Sequence, residues 1–334
     1  MQQKTILIVG GAGYIGSHVN KRLHLAGFKT IVLDNLTRGN RDSVIQGQFV
    51  LGDTGSLKDL NHIFSTSKID AVMHFAAHTA VGESVKNPAK YYHNNLINTL
   101  LLLETMVRHQ VKIFIFSSTA AIFGLPQYNS PIKEDHPCIP INPYGQSKLM
   151  VEKILSDFDL AYNMKFCSLR YFNAAGGDPD GQIKHPKREE NNIIPLIINN
   201  LLKEDASVTV FGNDYNTPDG TCIRDYIHVY DLALAHLSAL EKLLNGSPSK
   251  SYNLGNGQGF SVMEVIHTIE KVTGHQINIQ IGRRRQGDPP ILLADSQKAK
   301  NELSWKPKFS DLESMIMHAW QAMSTQKSHL YPKL

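Results

Sequence analysis

Short apolar runs alternate with longer helix-like stretches along the first half of the chain. The first run, Thr5 to Val9, is apolar and β-branched, and similar runs return at 30–33, 49–51, 70–75, 112–116 and 165–170. Runs this short, without polar alternation, are typical of strands buried on both faces of a parallel sheet. Helix-like segments separate them. The alternation therefore predicts an α/β fold with a doubly wound parallel sheet.

A glycine-rich turn follows the first run directly. Gly10, Gly13 and Gly16 have the spacing G-x-x-G-x-x-G, and residues 17–26 then have the pattern of a helix that ends at Gly27. The first glycine permits a tight turn, the second lets a pyrophosphate approach the backbone, and the third lets the helix pack on the strand. The helix N-terminus then faces the phosphates. A flexible turn without a ligand is the alternative for the glycines alone.

The second apolar run ends in an acid, Asp34. A carboxylate there accepts the 2′-hydroxyl of an adenosine ribose and repels a 2′-phosphate, which favours NAD over NADP. Arg38 and Arg41 are the counter-argument, because a nearby arginine is able to hold that phosphate. Strand, glycine loop, helix, strand and acid together predict a Rossmann domain.

Later strand ends carry further candidate residues. Asp53 either binds the adenine edge or caps a helix that begins near Leu57. The small pair Ala76-Ala77 after the fourth strand lets a cofactor lie close to the backbone. His74 and His78 are four residues apart, but they stand at a strand end and no third ligand is evident, so we expect no metal site.

A phenol and an ammonium lie four residues apart in the segment Asn142-Pro143-Tyr144-Gly145-Gln146-Ser147-Lys148. At the start of a helix this spacing puts both on one face. We expect the cation to favour phenolate, so that Tyr144 has a lowered pKa and acts as a base. Because tyrosine and lysine at helical spacing are common, the pair gains weight only beside the other motifs. The hydroxyls Ser117-Ser118-Thr119 end the fifth strand, where open α/β sheets bind ligands.

Bulk composition narrows the class of protein. The chain has 334 residues, of which 42% are hydrophobic, and a net charge of +4, too mild to indicate nucleic acid but suited to an anionic small substrate. Cys138, Cys167 and Cys222 are too few and too widely spaced for a disulfide framework, and they fit a reducing cytoplasm. The N-terminus lacks a signal-peptide pattern and no apolar run approaches the roughly 20 residues of a membrane span, so we expect no membrane association.

The helix-like stretch from Pro88 to His109 is apolar on two sides. One interpretation is that it contacts the sheet and neighbouring core. The other is that it forms a subunit interface with the amphipathic helix after Lys148, which predicts a homodimer.

Taken together, these motifs resemble the extended short-chain dehydrogenase/reductases that act on nucleotide sugars, and among them the 4-epimerases. The resemblance runs from about residue 4 to 320. Further matching stretches are His74-Phe75-Ala76-Ala77, Val81-Gly82-Glu83-Ser84, Tyr171-Phe172-Asn173, Phe211-Gly212-Asn213-Asp214-Tyr215, Arg224-Asp225-Tyr226-Ile227-His228-Val229 and Arg284-Arg285-Gln286-Gly287-Asp288.

The resemblance implies a role for each matching position. Tyr144 would be the base for the sugar 4-hydroxyl, Lys148 would tune it and bind the nicotinamide ribose, and Thr119 would bridge tyrosine and sugar. Implied NAD-binding residues are Gly10, Gly13, Tyr14, Ile15, Gly16, Asp34, Asn35, Asp53, Thr54, Phe75, Ala76, Ala77, Asn94, Tyr144, Lys148 and Tyr171. Implied residues for a UDP-sugar are Thr119, Tyr144, Asn173, Asn192, Phe211, Arg224, Arg285, Asp288 and Leu292.

The second half is predicted to grip the nucleotide sugar. The segment from Gly176 to Gly181 breaks the α/β rhythm and marks a domain edge. We predict an NAD-binding Rossmann domain over 1–174, to which 224–245 returns, and a smaller α/β substrate domain over 175–334. Asn192 either caps a helix or contacts phosphate. Arg224 and Arg285 would hold a pyrophosphate, although Arg283-Arg284-Arg285 alone is more often a solvated basic run.

Four positions refine the activity that the resemblance implies. Thr79 stands where several relatives carry a lysine near the cofactor. Ala120 and Ala121 follow Thr119, where related dehydratases typically carry Asp-Glu, so that the acid and base for eliminating water are missing. Leu292 stands where a bulky tyrosine is associated with refusal of N-acetylated sugars, so we expect those sugars to fit as well.

The expected activity is NAD-dependent interconversion of UDP-glucose and UDP-galactose through a 4-keto sugar, extending to UDP-GlcNAc and UDP-GalNAc. Another epimerase, or a nucleotide-sugar reductase with net redox turnover, is the alternative within this superfamily. An NAD-sensing regulator is the non-enzyme alternative, and the presence of both Tyr144 and Lys148 argues against it.

Overall fold

The computed structural model describes residues 3–126, 131–184, 192–285 and 287–324. Within these ranges the strands are β1 (Thr5–Val9), β2 (Lys29–Asp34), β3 (Gln48–Leu51), β4 (Ala71–His74), β5 (Ile113–Thr119), β6 (Lys165–Tyr171), β7 (Asn173–Ala175), β8 (Ser207–Phe211), β9 (Ile223–His228), β10 (Lys250–Leu254), β11 (Gly259–Ser261), β12 (Asn278–Gly282) and β13 (Ile291–Leu292). The helices are α1 (Tyr14–Leu25), α2 (Leu57–Thr66), α3 (Val81–Lys86), α4 (Pro88–Tyr91), α5 (Asn98–Arg108), α6 (Pro143–Tyr162), α7 (Ile193–Leu202), α8 (Val229–Leu244), α9 (Val262–Thr273), α10 (Gln297–Glu302) and α11 (Leu312–Ser324).

A parallel sheet forms the centre of the fold. In the described part of the chain it has seven strands in the order β10-β6-β5-β4-β1-β2-β3. The order reverses on either side of β1, and at such a switch point a crevice opens beyond the carboxyl ends of the strands. The predicted doubly wound Rossmann sheet is confirmed.

Strand ends differ from the predicted ones by a few residues. The apolar run of the fifth strand stops at Phe116, but β5 itself continues to Thr119, because its pairing with β6 continues through Ser117↔Leu169 and Thr119↔Tyr171. The first helix begins at Tyr14, immediately after the glycine turn, rather than at residue 17. The extra length brings the Ser-Ser-Thr hydroxyls onto ordered strand.

Both faces of the sheet are apolar, which explains the continuous runs in the sequence. Successive strand residues point to opposite faces. Ile6 and Ile8 therefore pack with α1 and α8 on one side, whereas Leu7 and Val9 pack with α2, α5 and α6 on the other. Each strand must be apolar at every position to serve both layers.

The predicted helix over 88–109 is one continuous stretch with an irregular centre. A π-helical segment, Tyr92–Ile97, joins α4 to α5. Leu102, Leu103 and Met106 are buried against the sheet, whereas Ile97 is 53% exposed. The apolar residues of this stretch thus pack against the sheet on one side and are exposed at the surface on another.

A second group of elements lies beside the main sheet. The strands β7, β9, β11 and β13 form one small sheet and β8 pairs with β12 in another. Helices α7, α9 and α11 bury an apolar cluster beside these strands. The chain crosses back after β9, since α8 packs against α1 and β10 joins the edge of the main sheet. The domain limits at 174/175 and the returning segment 224–245 stay predictions.

Helices in the described ranges are too short or too polar to cross a membrane.

Candidate active site

One cleft, of about 1610 Å³, lies beyond the carboxyl ends of the parallel strands and continues towards the second group of elements. All of the residues predicted for cofactor, catalysis and substrate line it. They come from the ends of β1, β2, β4 and β5, from the start of α6, and from the strands of the small sheets. The structure therefore brings these side chains together, while the role of each stays a prediction.

The glycine turn is built for close approach of a ligand to backbone. Gly10 has a φ of +75°, and a Cβ there would lie 2.5 Å from the backbone nitrogen of Ala76. A Cβ at Gly16 would lie 2.4 Å from the carbonyl oxygen of Gly10. The helix α1 begins after Gly13, and no side chain of the described residues caps its first turn. Its amides are thus suited to an anion such as pyrophosphate, and the residues present fit a dinucleotide.

Asp34 is held at the end of β2 by backbone donors. Its two carboxylate oxygens accept from the amides of Ala12 and Leu36, each at 2.9 Å. Burial raises the pKa of Asp34, and these two hydrogen bonds lower it in part. Each oxygen keeps a lone pair for a further donor such as a ribose hydroxyl, which fits the predicted preference for NAD.

Asp53 lies beside Asn35 rather than at a helix end. The side-chain nitrogen of Asn35 donates to Asp53 at 2.5 Å, and Asp53 also accepts from the amide of Gly55. Ser56 is the residue that caps α2. The capping interpretation of Asp53 is therefore wrong, and its contact with adenine stays a prediction.

The start of α6 fixes the position of Tyr144. The Asn142 side chain accepts from the amide of Gly145 at 2.8 Å, and Pro143 occupies the first helical position. An N-cap asparagine followed by proline defines a sharp helix start. Tyr144 and Lys148 then face the end of β5, one turn apart. There the phenol is hydrogen-bonded to the Thr119 hydroxyl.

Lys148 is buried beneath the tyrosine. The residue is only 2% exposed. Its ammonium donates to the carbonyl oxygen of Ser117 at 2.9 Å and lies 4.7 Å from the ring centre of Phe116. Burial lowers the pKa of Lys148 to about 7, against the effect of Glu152, which raises it. Burial thus acts against the positive charge on Lys148, and Glu152 acts in its favour.

The pKa of Tyr144 differs from the sequence-based expectation. Lys148 was expected to lower it, but burial raises it above the ordinary value and the hydrogen bond from Thr119 lowers it only in part. The physical reason is that desolvation acts on both groups: it penalises phenolate and it weakens the charge on Lys148. The expectation that the lysine alone makes the phenol acidic is wrong.

Some polar residues that support the site were not found from the sequence. Asn95, 1% exposed in the π-helical segment, accepts from the amide of His78 and donates to its carbonyl oxygen and to Ser147 of α6. It connects the loop after β4 to α6. The Tyr171 hydroxyl donates to the Ser117 hydroxyl. Only the repeated asparagine at 94–95 marked this region, since buried polar residues in a helix leave no periodic pattern.

Arginines line the far end of the cleft. Arg224 donates to the Asp288 carboxylate at 2.5 Å and its side chain is 13% exposed. The guanidinium of Arg285 lies 4.1 Å from the ring centre of Phe211. Arg284 instead pairs with Asp214, away from the lining. Arg284 and Arg285 thus have different surroundings, and three consecutive arginines in the sequence do not reveal this difference.

The remaining substrate candidates stand between these two ends. Asn173 donates to the carbonyl oxygen of Asp225 at 2.9 Å. Asn192 is the N-cap residue of α7, but within the described ranges its side chain makes no capping hydrogen bond. Leu292 is half-buried in β13, opposite Arg224 in the strand pairing. Asn192 is therefore better placed for a ligand contact than for capping, and that contact stays a prediction.

The histidine that ends β4, His74, and the one in the following loop, His78, have separate surroundings. His74 is buried, its ring nitrogen lies 3.4 Å from the Thr99 hydroxyl, and burial lowers its pKa to about 3. His78 lines the cleft beside exposed Thr79. In the described part of the chain, no three His, Cys, Asp or Glu side chains are grouped to hold a metal ion.

Comparison with known families and proteins gives consistent results. Residues 6–255 match the model of the NAD dependent epimerase/dehydratase family. The UDP-glucose 4-epimerase of Halalkalibacterium halodurans is 50% identical over 315 residues, which cover 94% of this chain and 94% of that protein.

Solved structures of similar proteins superpose over nearly the whole chain. The UDP-glucose 4-epimerase from Bifidobacterium longum in complex with NAD⁺ and UDP is 38% identical, with a TM-score of 0.91, 97% of this chain covered and 99% of that one. The UDP-Glc/GlcNAc 4-epimerase from Campylobacter jejuni is 41% identical, with a TM-score of 0.84, 96% of this chain covered and 99% of that one.

Proposed function

The chain belongs to the NAD dependent epimerase/dehydratase family, and we infer from this premise that it interconverts UDP-glucose and UDP-galactose. It is an isomerase that uses NAD as a bound cofactor and returns it unchanged. The observation that carries the inference is that Tyr144, Thr119 and Lys148 line one cleft. The glycine turn, which suits a dinucleotide, and the arginines, which suit a nucleotide sugar, line the same cleft.

The residues after Thr119 argue for epimerisation rather than dehydration. Ala120 and Ala121 carry neither an acid nor a base. Elimination of water requires both, near the sugar carbon from which the water leaves. Tyr144 alone supplies one proton transfer, which is what oxidation and reduction at a single carbinol carbon demand.

We assign the proton chemistry to Tyr144 and Thr119. Ionised Tyr144 takes the proton from the sugar 4-hydroxyl, and the Thr119 hydroxyl, already hydrogen-bonded to the phenol, orients it. After the 4-keto sugar has rotated and presents its other face, protonated Tyr144 returns the proton to the 4-oxygen. A base within hydrogen-bond reach accelerates such a step by about 10²–10⁴-fold.

Lys148 holds phenolate in place. When bound, NAD⁺ supplies the acceptor and donor for the C4 hydride, and its positive ring adds to the charge that favours phenolate. The residues Gly10, Gly13 and Asp34 would hold its pyrophosphate and adenosine ribose, and Lys148 would hold the nicotinamide ribose. The lysine must be protonated for this role, and its lowered pKa means that we expect the role to be lost as the pH rises.

The arginine end of the cleft retains the substrate between half-reactions. Arg224 and Arg285 are placed to hold the pyrophosphate, and Asp288 to accept from the uridine ribose. A 4-keto sugar anchored only through its nucleotide is free to rotate and present its other face. The arginine end of the cleft therefore needs to bind the nucleotide tightly, while the sugar is bound only weakly.

Leu292 leads us to propose a broader substrate range. The side chain lines the cleft from β13 and is smaller than tyrosine. An N-acetyl group at the sugar C2 position then has room. The similarity to a Campylobacter jejuni enzyme described as a UDP-Glc/GlcNAc 4-epimerase agrees with this proposal.

The function is tested by offering the purified protein UDP-galactose and UDP-GalNAc in separate tubes without added cofactor, with products identified by NMR. We expect both sugars to convert to an equilibrium mixture with the glucose or GlcNAc form. Failure to convert UDP-galactose, even with added NAD, would exclude the epimerase function. Stoichiometric formation of NADH would instead favour the reductase alternative. Conversion of UDP-galactose alone would refute only the proposal that N-acetylated sugars are also substrates.

We also propose that the protein is a homodimer. Support comes from apolar side chains at the surface of α6 and the neighbouring π-helical segment: Leu160 is 88% exposed, Ile97 53% and Tyr162 49%. Exposed apolar side chains on neighbouring helices are typical of an interface. Light scattering should give twice the 37.3 kDa chain mass, and Leu160→Glu should shift it towards one chain mass. A wild-type monomer would refute the proposal.

We place the protein in the cytoplasm. The thiols of Cys138, Cys167 and Cys222 are free, as is typical of a reducing compartment.

A further inference from the structure

We propose that Glu152 is a positioning residue for the reaction: its carboxylate fixes α6 against the ends of β5 and β6 and is the counter-charge of Lys148. The inference rests on the proposed role of Lys148 in the epimerase reaction. Glu152 lies one helical turn after Lys148, as Lys148 lies one turn after Tyr144. The three side chains thus form one stripe along α6.

Glu152 is buried and hydrogen-bonded through both carboxylate oxygens. It is 6% exposed, accepts from the Ser118 hydroxyl at 2.5 Å, and accepts from Nε and Nη2 of Arg170 at 2.7 to 3.2 Å. Ser118 belongs to β5 and Arg170 to β6. A buried carboxylate held by two neighbouring strands sets the position of its helix more firmly than apolar packing alone, because charged hydrogen bonds depend strongly on direction.

Consecutive residues at the end of β5 each bind a different residue of the α6 stripe. The Ser117 carbonyl oxygen accepts from Lys148, the Ser118 hydroxyl donates to Glu152, and the Thr119 hydroxyl is hydrogen-bonded to Tyr144. A displacement of α6 at Glu152 would therefore also disturb the two catalytic contacts. This matching of three strand residues to three helix residues carries the positioning role.

The charge of Glu152 completes the surroundings of Lys148. Tyr144 lies on the same helix, His74 on β4 and Tyr171 on β6, with Arg170 behind Glu152. Burial keeps His74 neutral by lowering its pKa to about 3, and it keeps Tyr171 neutral by raising its pKa. Among the described side chains, Glu152 is the one whose charge raises the pKa of Lys148. Without it, burial would favour the neutral amine.

The test measures the titration of Lys148 directly. The protein is labelled with ¹³Cε-lysine, and the Lys148 resonance is identified by its loss in Lys148→Met. In Glu152→Gln, which keeps the shape and an acceptor for Ser118, we expect the midpoint of Lys148 to fall by about one pH unit, the lower end of the effect of a nearby opposite charge. The alkaline limb of the turnover profile should move down by the same amount. Glu152→Asp, which keeps the charge, should retain a midpoint near that of the wild type.

Two further variants separate positioning from general stability. Asp178→Asn breaks a different buried ion pair, between Asp178 and Lys21 at 2.8 Å, away from α6. It should lower the melting temperature without moving the Lys148 midpoint. Glu152→Gln combined with Arg170→Met removes the unpaired guanidinium, so it should recover stability while the midpoint stays low.

The outcomes are distinct. An unchanged Lys148 midpoint in both Glu152→Gln variants, or an equal fall in Asp178→Asn, would overturn this inference. Failure of the wild type to interconvert the sugars would instead overturn the proposed function, and the NMR titration would still report whether Glu152 sets the charge of Lys148.

Discussion

Burial moves the proton affinities of Tyr144 and Lys148 apart. It raises the pKa of the phenol above its ordinary value and lowers that of the ammonium to about 7, so the phenol holds its proton more firmly than the ammonium does. The hydrogen bond with Thr119 lowers the pKa of the phenol only in part, and we expect the positive ring of bound NAD⁺ to be needed for phenolate to form. The structure thus sets both pKa values mainly by desolvation.

Removal of the Tyr144 hydroxyl should abolish most turnover. In Tyr144→Phe the 4-hydroxyl has no base, and we expect the turnover number for UDP-galactose to fall by about 10²–10⁴-fold. Binding of NAD and UDP, measured by calorimetry, should persist because we expect the phenol to contribute little to the affinity for either ligand. Tyr162→Phe, at the other end of the same helix, is the control. Near-normal turnover by Tyr144→Phe would refute the assignment of the base.

A larger side chain at 292 should narrow the substrate range. With Leu292→Tyr we expect the kcat/KM for UDP-GalNAc to fall by about 10-fold or more, because the phenol fills space that the N-acetyl group needs. UDP-galactose, which lacks that group, should keep most of its kcat/KM. Leu292→Met, of similar volume, is the matched control. Equal losses for both sugars would show that Leu292 does not set the range.

Secondary-structure elements differ in how far their sequences determined them. The strands β1 to β6 and the glycine turn were predicted because each is local: an apolar run of fixed length and glycines at fixed spacing. The strand β10 was not, since Lys250–Leu254 is short and half polar and depends on β6 for its place. The π-helical segment has the same apolar pattern as a regular helix, and the capping of α2 by Ser56 depends on loop geometry. Glu152 was missed because one acid on a helix does not reveal its buried partners.

The junction between β1 and α1 should be intolerant of a single methyl group. In Gly16→Ala the new Cβ would lie 2.4 Å from Gly10 oxygen and 2.8 Å from the Gly11 Cα, both rigid backbone atoms. We expect a loss of about 1–3 kcal/mol in the free energy of unfolding, measured with urea, and weaker binding of NAD.

Gly82→Ala provides the comparison, because open space surrounds the corresponding position in α3. It should leave the free energy of unfolding unchanged or slightly higher. A Gly16→Ala protein as stable as Gly82→Ala, with normal NAD affinity, would contradict the close approach at the turn.

Stability of the whole molecule should depend on pH through its buried histidines. His236 is fully buried between Phe75 and Tyr171, and burial lowers its pKa to about 4 from the ordinary value of 6.5. Below that ordinary value the unfolded chain binds a proton that the folded chain does not. His236 therefore contributes stability that is present above pH 6.5 and is lost as the pH falls towards 4.

The corresponding variant makes this measurable. Between about pH 6 and 4, the free energy of unfolding of the wild type should fall more steeply than that of His236→Gln, by about 1.4 kcal/mol per pH unit. Urea titrations at several pH values give both slopes. His62→Gln, at an exposed position of α2, should keep the wild-type slope. Equal slopes for the wild type and His236→Gln would contradict the buried neutral state.

The cleft joins the two halves of the molecule, so the complete reaction is the sharpest test of how they work together. The central claim is that hydrogen leaves C4 of the sugar and returns to the same carbon without exchange with water. UDP-galactose should therefore be converted in D₂O and the product analysed by proton NMR. We expect UDP-glucose that retains protium at C4, with no accumulation of NADH. Deuterium at C4, or NADH formed in proportion to product, would contradict the claim.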